Sequence, residues 1–241
     1  MRGHCPALPI ESAMSSRDGK GSARIEFEDL ACSVVEMILS EIARRMVLTG
    51  EVDPAVTSPP DVRELAMVRL REHLEGGAGF TFTIDHRFSM LEHARSFSLE
   101  GRDEYSLVFY GLYIEHTLNL AIRDRAIQLG LGENEAVDLM RRSLPQKTGL
   151  TWKRLFDEDF PQQLRADIVT VANRRNAFAH YKWQNDPTTK LLPAAVAARR
   201  KTAFDAAERA AVELDAYRAR LFGVNGVDLD DWFHERKESQ S

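Results

Sequence analysis

Residues 103–129 read DEYSLVFYGLYIEHTLNLAIRDRAIQL, and this stretch decides the fold. Its apolar residues recur every three to four positions, which is the spacing of one face of an α-helix. The residues of that face are Leu107, Tyr110, Ile114, Leu118, Ala121 and Ile122. The stretch therefore predicts a long helix that buries one face in a core.

Helical spacing also dominates the chain on both sides of this helix. The further predicted helices are 29–48 with Asp29 as N-cap, 61–75 capped by Asp61 and ended by Gly76 and Gly77, a short one from about Met90 to Gly101, 134–144 stopped by Pro145, 161–181, and 194–222. Only 80–84, and more weakly 24–28, alternate apolar and polar residues as strands do. Two short strands cannot form a domain alone. The sequence predicts an all-α helical bundle with a small mixed N-terminal appendage.

The composition divides the chain into four parts. Small and polar residues predict a flexible N-terminus over 1–24. An N-terminal helical appendage with a possible short strand pair follows over 25–85. The main bundle covers 86–222, and 223–241 form a polar C-terminal tail.

Length and composition exclude several classes of protein. With 241 residues, 44% of them hydrophobic, the chain can bury a sizeable core. Two cysteines exclude a disulfide framework, and no histidine or cysteine spacing matches a zinc site, so we expect no metal and no cofactor. No apolar run approaches 18 residues and no secretion signal is visible, so we expect a cytoplasmic protein without membrane contact.

The charge of the chain is distributed unevenly. The net charge is −5, but 141–220 hold 16 Lys and Arg against 9 Asp and Glu, a balance of +7. The rest of the chain therefore carries −12. Such asymmetry often marks a surface that faces a polyanion, although alternating charges on helix surfaces are the plainer explanation.

The helix predicted over 161–181 carries an unusual set of polar residues. At 100° per residue from Leu164, Arg175 falls at about 20°, inside the apolar stripe of the helix. A guanidinium cannot be deprotonated, so Arg175 needs an acidic partner, a phosphate or a seam between subunits. Glu115 in the long helix is a candidate partner.

Asn176 and His180 lie four residues apart on a second, polar face of the same helix. This spacing allows a hydrogen bond that orients the imidazole ring. A histidine near a helix end is more often a cap or a packed residue than a catalyst. The joint occurrence of Arg175, Asn176 and His180 within one and a half turns nevertheless favours a site.

An Arg followed directly by Asn, with a His five residues after the Arg, near the end of a late helix in a helical bundle, resembles the HEPN family (higher eukaryotes and prokaryotes nucleotide-binding). The segment Phe88–Arg95 and the helix that bears Tyr113–Asn119 resemble the first two helices of such domains. The resemblance covers about 86–222, which makes this part a HEPN-like bundle.

The resemblance implies a metal-independent endoribonuclease in which two chains pair and share a composite site. It makes Arg175 and His180 the catalytic residues, with Asn176 beside them. On an ideal helix Arg175 and His180 point about 140° apart, which suits a site shared between chains. Arg174 also satisfies a permitted Arg–His spacing, but we prefer Arg175 because Asn176 follows it.

Further residues are expected to bind the RNA, namely Arg174, Tyr181, Lys182 and Trp183, through base stacking and backbone contacts. The implied partners are RNA, a second copy of the chain, and a protein partner or antitoxin, as in a toxin or antiphage effector. The alternative is a non-catalytic HEPN-like module that binds RNA or a nucleotide, or acts as a scaffold, with Arg175 paired to Glu115 for structure.

Overall fold

A computed structural model of the chain describes residues 21–77, 85–179, 193–223 and 229. Its helices are α1 (Gly21–Leu48), α2 (Pro59–Glu75), α3 (Arg87–Leu99), α4 (Asp103–Gln128), α5 (Glu133–Met140), α6 (Leu144–Gln146), α7 (Trp152–Phe156), α8 (Gln162–Ala179) and α9 (Pro193–Phe222). A wide helical turn, Lys147–Thr151, joins α6 to α7. No strand occurs among the described residues. The structure confirms the predicted all-α fold.

Helix α4 is the centre of the bundle. It contacts α1, α3, α5, α7, α8 and α9. Its buried residues include the whole predicted stripe and extend around the helix, and they are Ser106, Leu107, Tyr110, Gly111, Tyr113, Ile114, Thr117, Leu118, Ala121, Ile122, Asp124 and Ala126. A helix that is apolar on most of its circumference is stable only when other helices enclose it.

Helices α3 and α4 form a hairpin through a tight turn at Gly101. This glycine has φ of +70°, a conformation that suits glycine because it lacks a Cβ atom. The buried Ser106 hydroxyl donates a hydrogen bond of 2.6 Å to the carbonyl oxygen of Ala94. The hairpin therefore joins the two helices closely at their connected ends.

The hairpin of α1 and α2 has its own apolar cluster, which comprises Leu39, Ala43, Met46, Val52, Val62, Ala66 and Leu70. A buried ion pair joins this hairpin to the bundle, because Arg44 of α1 bonds Asp124 of α4. Arg218 of α9 approaches the same carboxylate at 3.5 Å. Asp124 is fully buried, so one carboxylate holds three helices in register.

Three predictions about the N-terminal part are wrong. Residues 24–28 are helical, because they belong to α1. Extending an existing helix adds one hydrogen bond per residue without a new nucleation cost, and a five-residue alternation is too short to compete. Asp29 is no N-cap, because it lies inside α1.

The start of α2 also differs from the prediction. Ser58, not Asp61, precedes its first turn, and the Ser58 hydroxyl donates to the Asp61 carboxylate at 2.6 Å. The strand predicted at 80–84 lies outside the described residues.

The helix predicted over 134–144 ends earlier, at Met140. Ser143 and Gln146 form a capping box that starts a new turn, in which Pro145 occupies an early position. Proline suits the first turn of a helix because no backbone donor is needed there. The sequence pattern therefore misassigned Pro145 as the end of a helix, and it predicted no element between 147 and 156.

Helix α7 is held by aromatic packing. Trp152 is fully buried, stacks on Phe156 at 4.1 Å between ring centroids, and donates its indole N–H to the Tyr217 hydroxyl at 3.2 Å. Because α7 follows directly after 141–151, this packing also holds the C-terminal end of that segment.

Among the helices in the described ranges, none has the length and apolar composition needed to cross a membrane.

Replacing Asp124 by Asn should destabilise the fold by about 3–5 kcal/mol, because the change removes the carboxylate that two buried guanidiniums contact. Chemical denaturation followed by circular dichroism measures this loss. Asp159→Asn is the matched control, since Asp159 forms an exposed ion pair with Lys153, and such pairs contribute at most about 1 kcal/mol. Equal losses in the two variants would contradict the role of Asp124.

Candidate functional site

Arg175 lies where α8 crosses α4, and a glycine makes room for it. A Cβ atom on Gly111 of α4 would lie 2.8 Å from Cδ of Arg175, which is closer than carbon atoms approach. The Arg175 side chain therefore passes directly over the backbone of α4. The side chain as a whole remains about one quarter exposed.

Glu115 is the partner of Arg175. One terminal guanidinium nitrogen of Arg175 donates to the Glu115 carboxylate at 2.9 Å. Sequence analysis offered this pair as one of several alternatives, and the structure confirms that the two side chains are in contact. No other residue in the described part of the chain bonds Arg175, so its remaining N–H donors have capacity for a further acceptor.

Lys147 approaches the other oxygen of the Glu115 carboxylate at 3.5 Å, with a side chain that is only 2% exposed. Burial raises the pKa of Glu115, but hydrogen bonding from Arg175 and the charge of Lys147 outweigh it and hold that pKa below its ordinary value. Burial lowers the pKa of the Lys147 ammonium, and Glu115 offsets part of this effect. One carboxylate thus serves two cations, which leaves this cluster with a charge of +1.

Residues 141–151 form the wall opposite α8. Arg142 donates from one terminal nitrogen to the hydroxyl of Thr151 at 3.1 Å, and Thr151 is buried. No carboxylate in the described ranges pairs with Arg142. Within the described part of the chain, the one acidic contact of Arg141 is a distant one, 3.9 Å, with the exposed Asp138. This wall is therefore strongly positive.

A cleft of about 390 Å³ lies between this wall and α8. Helix α4 forms its floor with Gly111, Ile114 and Glu115. The wall contributes Arg141, Arg142, Ser143, Leu144 and Pro145, and α8 contributes Ile168, Val169, Val171, Ala172, Asn173, Arg175 and Asn176. In the part of this lining that the described residues form, Glu115 is the one acidic residue, and both of its oxygens already face cations.

The structure places three of the predicted site residues. Arg175 and the exposed Asn176 both line the cleft. Arg174 lines a separate depression with Asp103, Glu104 and Arg200. The two arginines therefore belong to different environments.

Four predicted site residues, His180, Tyr181, Lys182 and Trp183, lie outside the described residues. The described part of α8 ends at Ala179, the residue immediately before His180. The expected contact between Asn176 and His180 stays a prediction.

Sequence reasoning missed Arg141, Arg142 and Lys147 as members of a cleft. A signal was present, because 141–156 hold five Lys and Arg residues and no acidic residue. What the sequence lacked was the fold that brings this run opposite α8. Among the described residues, no group of three His, Cys, Asp or Glu side chains is placed to hold a metal ion.

Comparison with known proteins identifies no relative of this chain. No family model matches the chain, and neither a curated protein nor a solved structure matches it.

Replacing Glu115 by Gln should lower the free energy of unfolding at pH 7 by about 1–3 kcal/mol, because buried Lys147 loses its anionic partner. The pKa of Glu115 is lowered in the folded protein, so its contribution is complete above the unfolded value of about 4.5 and is lost as pH falls through the folded value. Denaturation of both proteins across pH 3–7 should therefore show the difference shrinking in acid. A difference independent of pH would contradict this assignment.

Gly111→Ala should displace Arg175 from Glu115 and destabilise the wild-type protein, because the new Cβ atom occupies the path of the Arg175 side chain. In an Arg175→Ala background the same change should stabilise the fold by up to about 1 kcal/mol, because alanine has the higher helix propensity. A double-mutant cycle measured by denaturation tests this reversal. Additive effects of the two changes would show that Gly111 is not required to make room for the Arg175 side chain.

Proposed function

We propose that the chain is a metal-independent endoribonuclease of HEPN type that acts as a homodimer with a composite site. The observation that carries the proposal is the position of Arg175, which reaches a positively charged cleft from the helix that leads to His180. The resemblance of Arg175, Asn176 and His180 to the family motif supports the same conclusion.

In this proposal Arg175 binds the scissile phosphate. Arg175 lines a cleft whose charge favours an anion, and a guanidinium matches the geometry of phosphate oxygens. As the ribose 2′-oxygen forms its bond to phosphorus, negative charge accumulates on the phosphoryl oxygens. Arg175 stabilises that charge.

His180 transfers the protons. It accepts the proton of the 2′-hydroxyl as general base, or donates one to the departing 5′-oxygen as general acid, with the second copy of the chain supplying the other role. The bond from phosphorus to the 5′-oxygen breaks. The products are a 2′,3′-cyclic phosphate and a 5′-hydroxyl. Asn176 is the positioning residue that orients the His180 ring.

The other predicted site residues bind the RNA rather than take part in the reaction. Tyr181 and Trp183 stack on bases and Lys182 contacts the backbone, while Arg174 contacts it outside the cleft, from its separate depression. A nuclease of this kind fits a toxin or antiphage effector in the cytoplasm, controlled by a protein partner or antitoxin.

The second candidate function is a non-catalytic HEPN-like module that binds RNA or a nucleotide, or acts as a scaffold. The ion pair between Arg175 and Glu115 favours it, because a guanidinium within a helix–helix contact also serves stability. In that case Arg175 remains a structural residue and no cleavage exists to be lost.

Cleavage of a labelled RNA by the full chain in EDTA tests the enzyme. His180→Ala should reduce the rate at least about 100-fold, the usual contribution of a general acid or base. Arg175→Ala should cause a loss of similar size. His116→Ala is the matched control, because His116 is exposed on α4 and does not line the cleft.

The product should carry a 2′,3′-cyclic phosphate, and light scattering should show a dimer. Cleavage that persists in His180→Ala would refute the enzymatic proposal. An inactive wild type that still binds RNA, together with a large loss of stability in Arg175→Ala, would support the second candidate.

A further inference from the structure

The cleft extends beyond Arg175, and its far part contains cations that the proposed reaction does not use. Arg142 is the clearest of these, since a neutral hydroxyl, that of Thr151, holds its guanidinium. A carboxylate partner would cancel its charge, whereas a hydroxyl fixes its direction and leaves the charge intact. Because Thr151 is buried, the position of this hydroxyl is itself fixed.

Arg165 continues the same surface toward the start of α8. At 100° per residue, Arg165, Val169, Ala172 and Asn176 fall within about 60° of one another on α8. The last three line the cleft. A terminal nitrogen of Arg165 lies 3.7 Å from the point where a Cβ atom on Gly149 would stand, so Arg165 reaches the wall segment as well.

We define the basic track as Arg165, Arg142, Arg141 and Arg175, of which the last three line the cleft, while Arg165 lies beyond the lining and beside Gly149. From Arg165 to Asn176 the helix rises about 16 Å, at 1.5 Å for each of eleven residues. This length exceeds one nucleotide and suits a short stretch of single strand. Among the described residues that line the cleft, Glu115 is the only carboxylate, and it is shared by two cations and adds no net repulsion toward an anion.

We propose that the basic track binds the phosphate groups of a single RNA strand and leads that strand along the cleft to Arg175. Arg142 is the central backbone contact, and Arg165 is the outer one. This inference rests on the proposed function for the identity of its ligand, but it concerns binding and needs no cleavage.

The test is fluorescence anisotropy with a labelled 2′-O-methyl oligonucleotide of about twelve residues, a length that covers the site of one small binding module. Methylation removes the nucleophilic 2′-hydroxyl, so binding is measured without cleavage. Arg142→Gln should weaken binding about tenfold. It should also reduce the slope of log K against log salt by about 0.7, the value for one phosphate contact on a single strand.

Arg154→Gln is the matched control. Arg154 is exposed on α7, lies outside the cleft lining, and its replacement removes the same charge. Its affinity and salt slope should equal those of the wild type. Arg165→Gln is the second variant, because its exposed side chain adds nothing to the core and the fold does not depend on it. It should lower the slope by a similar amount.

The outcomes separate this inference from the proposed function. If Arg142→Gln and Arg165→Gln bind like Arg154→Gln, the track is refuted even when the wild type cleaves RNA. If both variants lose affinity and slope while the wild type cleaves nothing, the track is supported and the nuclease is refuted. If adenosine monophosphate binds in an Arg142-dependent way and the oligonucleotide does not bind, the site holds a free nucleotide and the track is refuted.

Discussion

The fold depends on charges that α4 carries into the core and that other helices neutralise. A helix buried on most sides cannot leave a carboxylate unpaired, because transfer of a charge out of water costs several kcal/mol. Asp124 and Glu115 lie nine residues apart, on opposite sides of α4. Asp124 engages Arg44 and Arg218, and Glu115 engages Arg175 and Lys147. Through these two carboxylates α4 sets the positions of α1, α9, α8 and the segment 141–151. The enclosed helix α4 thus positions the hairpin of α1 and α2 on one side and the walls of the cleft on the other.

The tyrosines of α4 add a third link of the same kind. Tyr110 and Tyr113 donate their hydroxyl hydrogens to Glu208 and Asp215 of α9. Burial raises the pKa of both hydroxyls, and the neighbouring carboxylates raise it further, so both remain donors. In each contact a tyrosine of α4, whose ring is buried, bonds an acidic residue of α9 that is partly or fully exposed. These hydrogen bonds between α4 and α9 therefore favour one arrangement of the helices more strongly than apolar packing alone does.

A feature could be predicted from the sequence when local interactions stabilise it, and could not when residues that are distant in the chain do. Long helices such as α4 and α9 were predictable because their apolar spacing is a local signal. The segment 147–156 was not, since it is short and its irregular turn at Gly149 is stabilised by distant residues, among them Tyr217 around Trp152. Of the site, the position of Arg175 in an apolar stripe pointed to Glu115. Lys147 gave no signal of its partner, because lysines are rarely buried and the basic run over 141–156 does not show which of its members enters the core.

The same geometry also explains why one cluster supports two functional hypotheses. A guanidinium that only stabilised a helix crossing would be best served by a carboxylate of its own. Arg175 instead shares Glu115 with the buried Lys147, so the cluster keeps a positive charge and Arg175 keeps unused donors. Across the cleft Arg142 is oriented by a hydroxyl, and the one acidic contact of Arg141 among the described residues is distant. Surplus charge of one sign, concentrated on facing walls, opposes close packing and lowers stability unless an anion enters. That arrangement agrees with the RNA partner that we propose, because a phosphate backbone would supply both the missing charge and the acceptors.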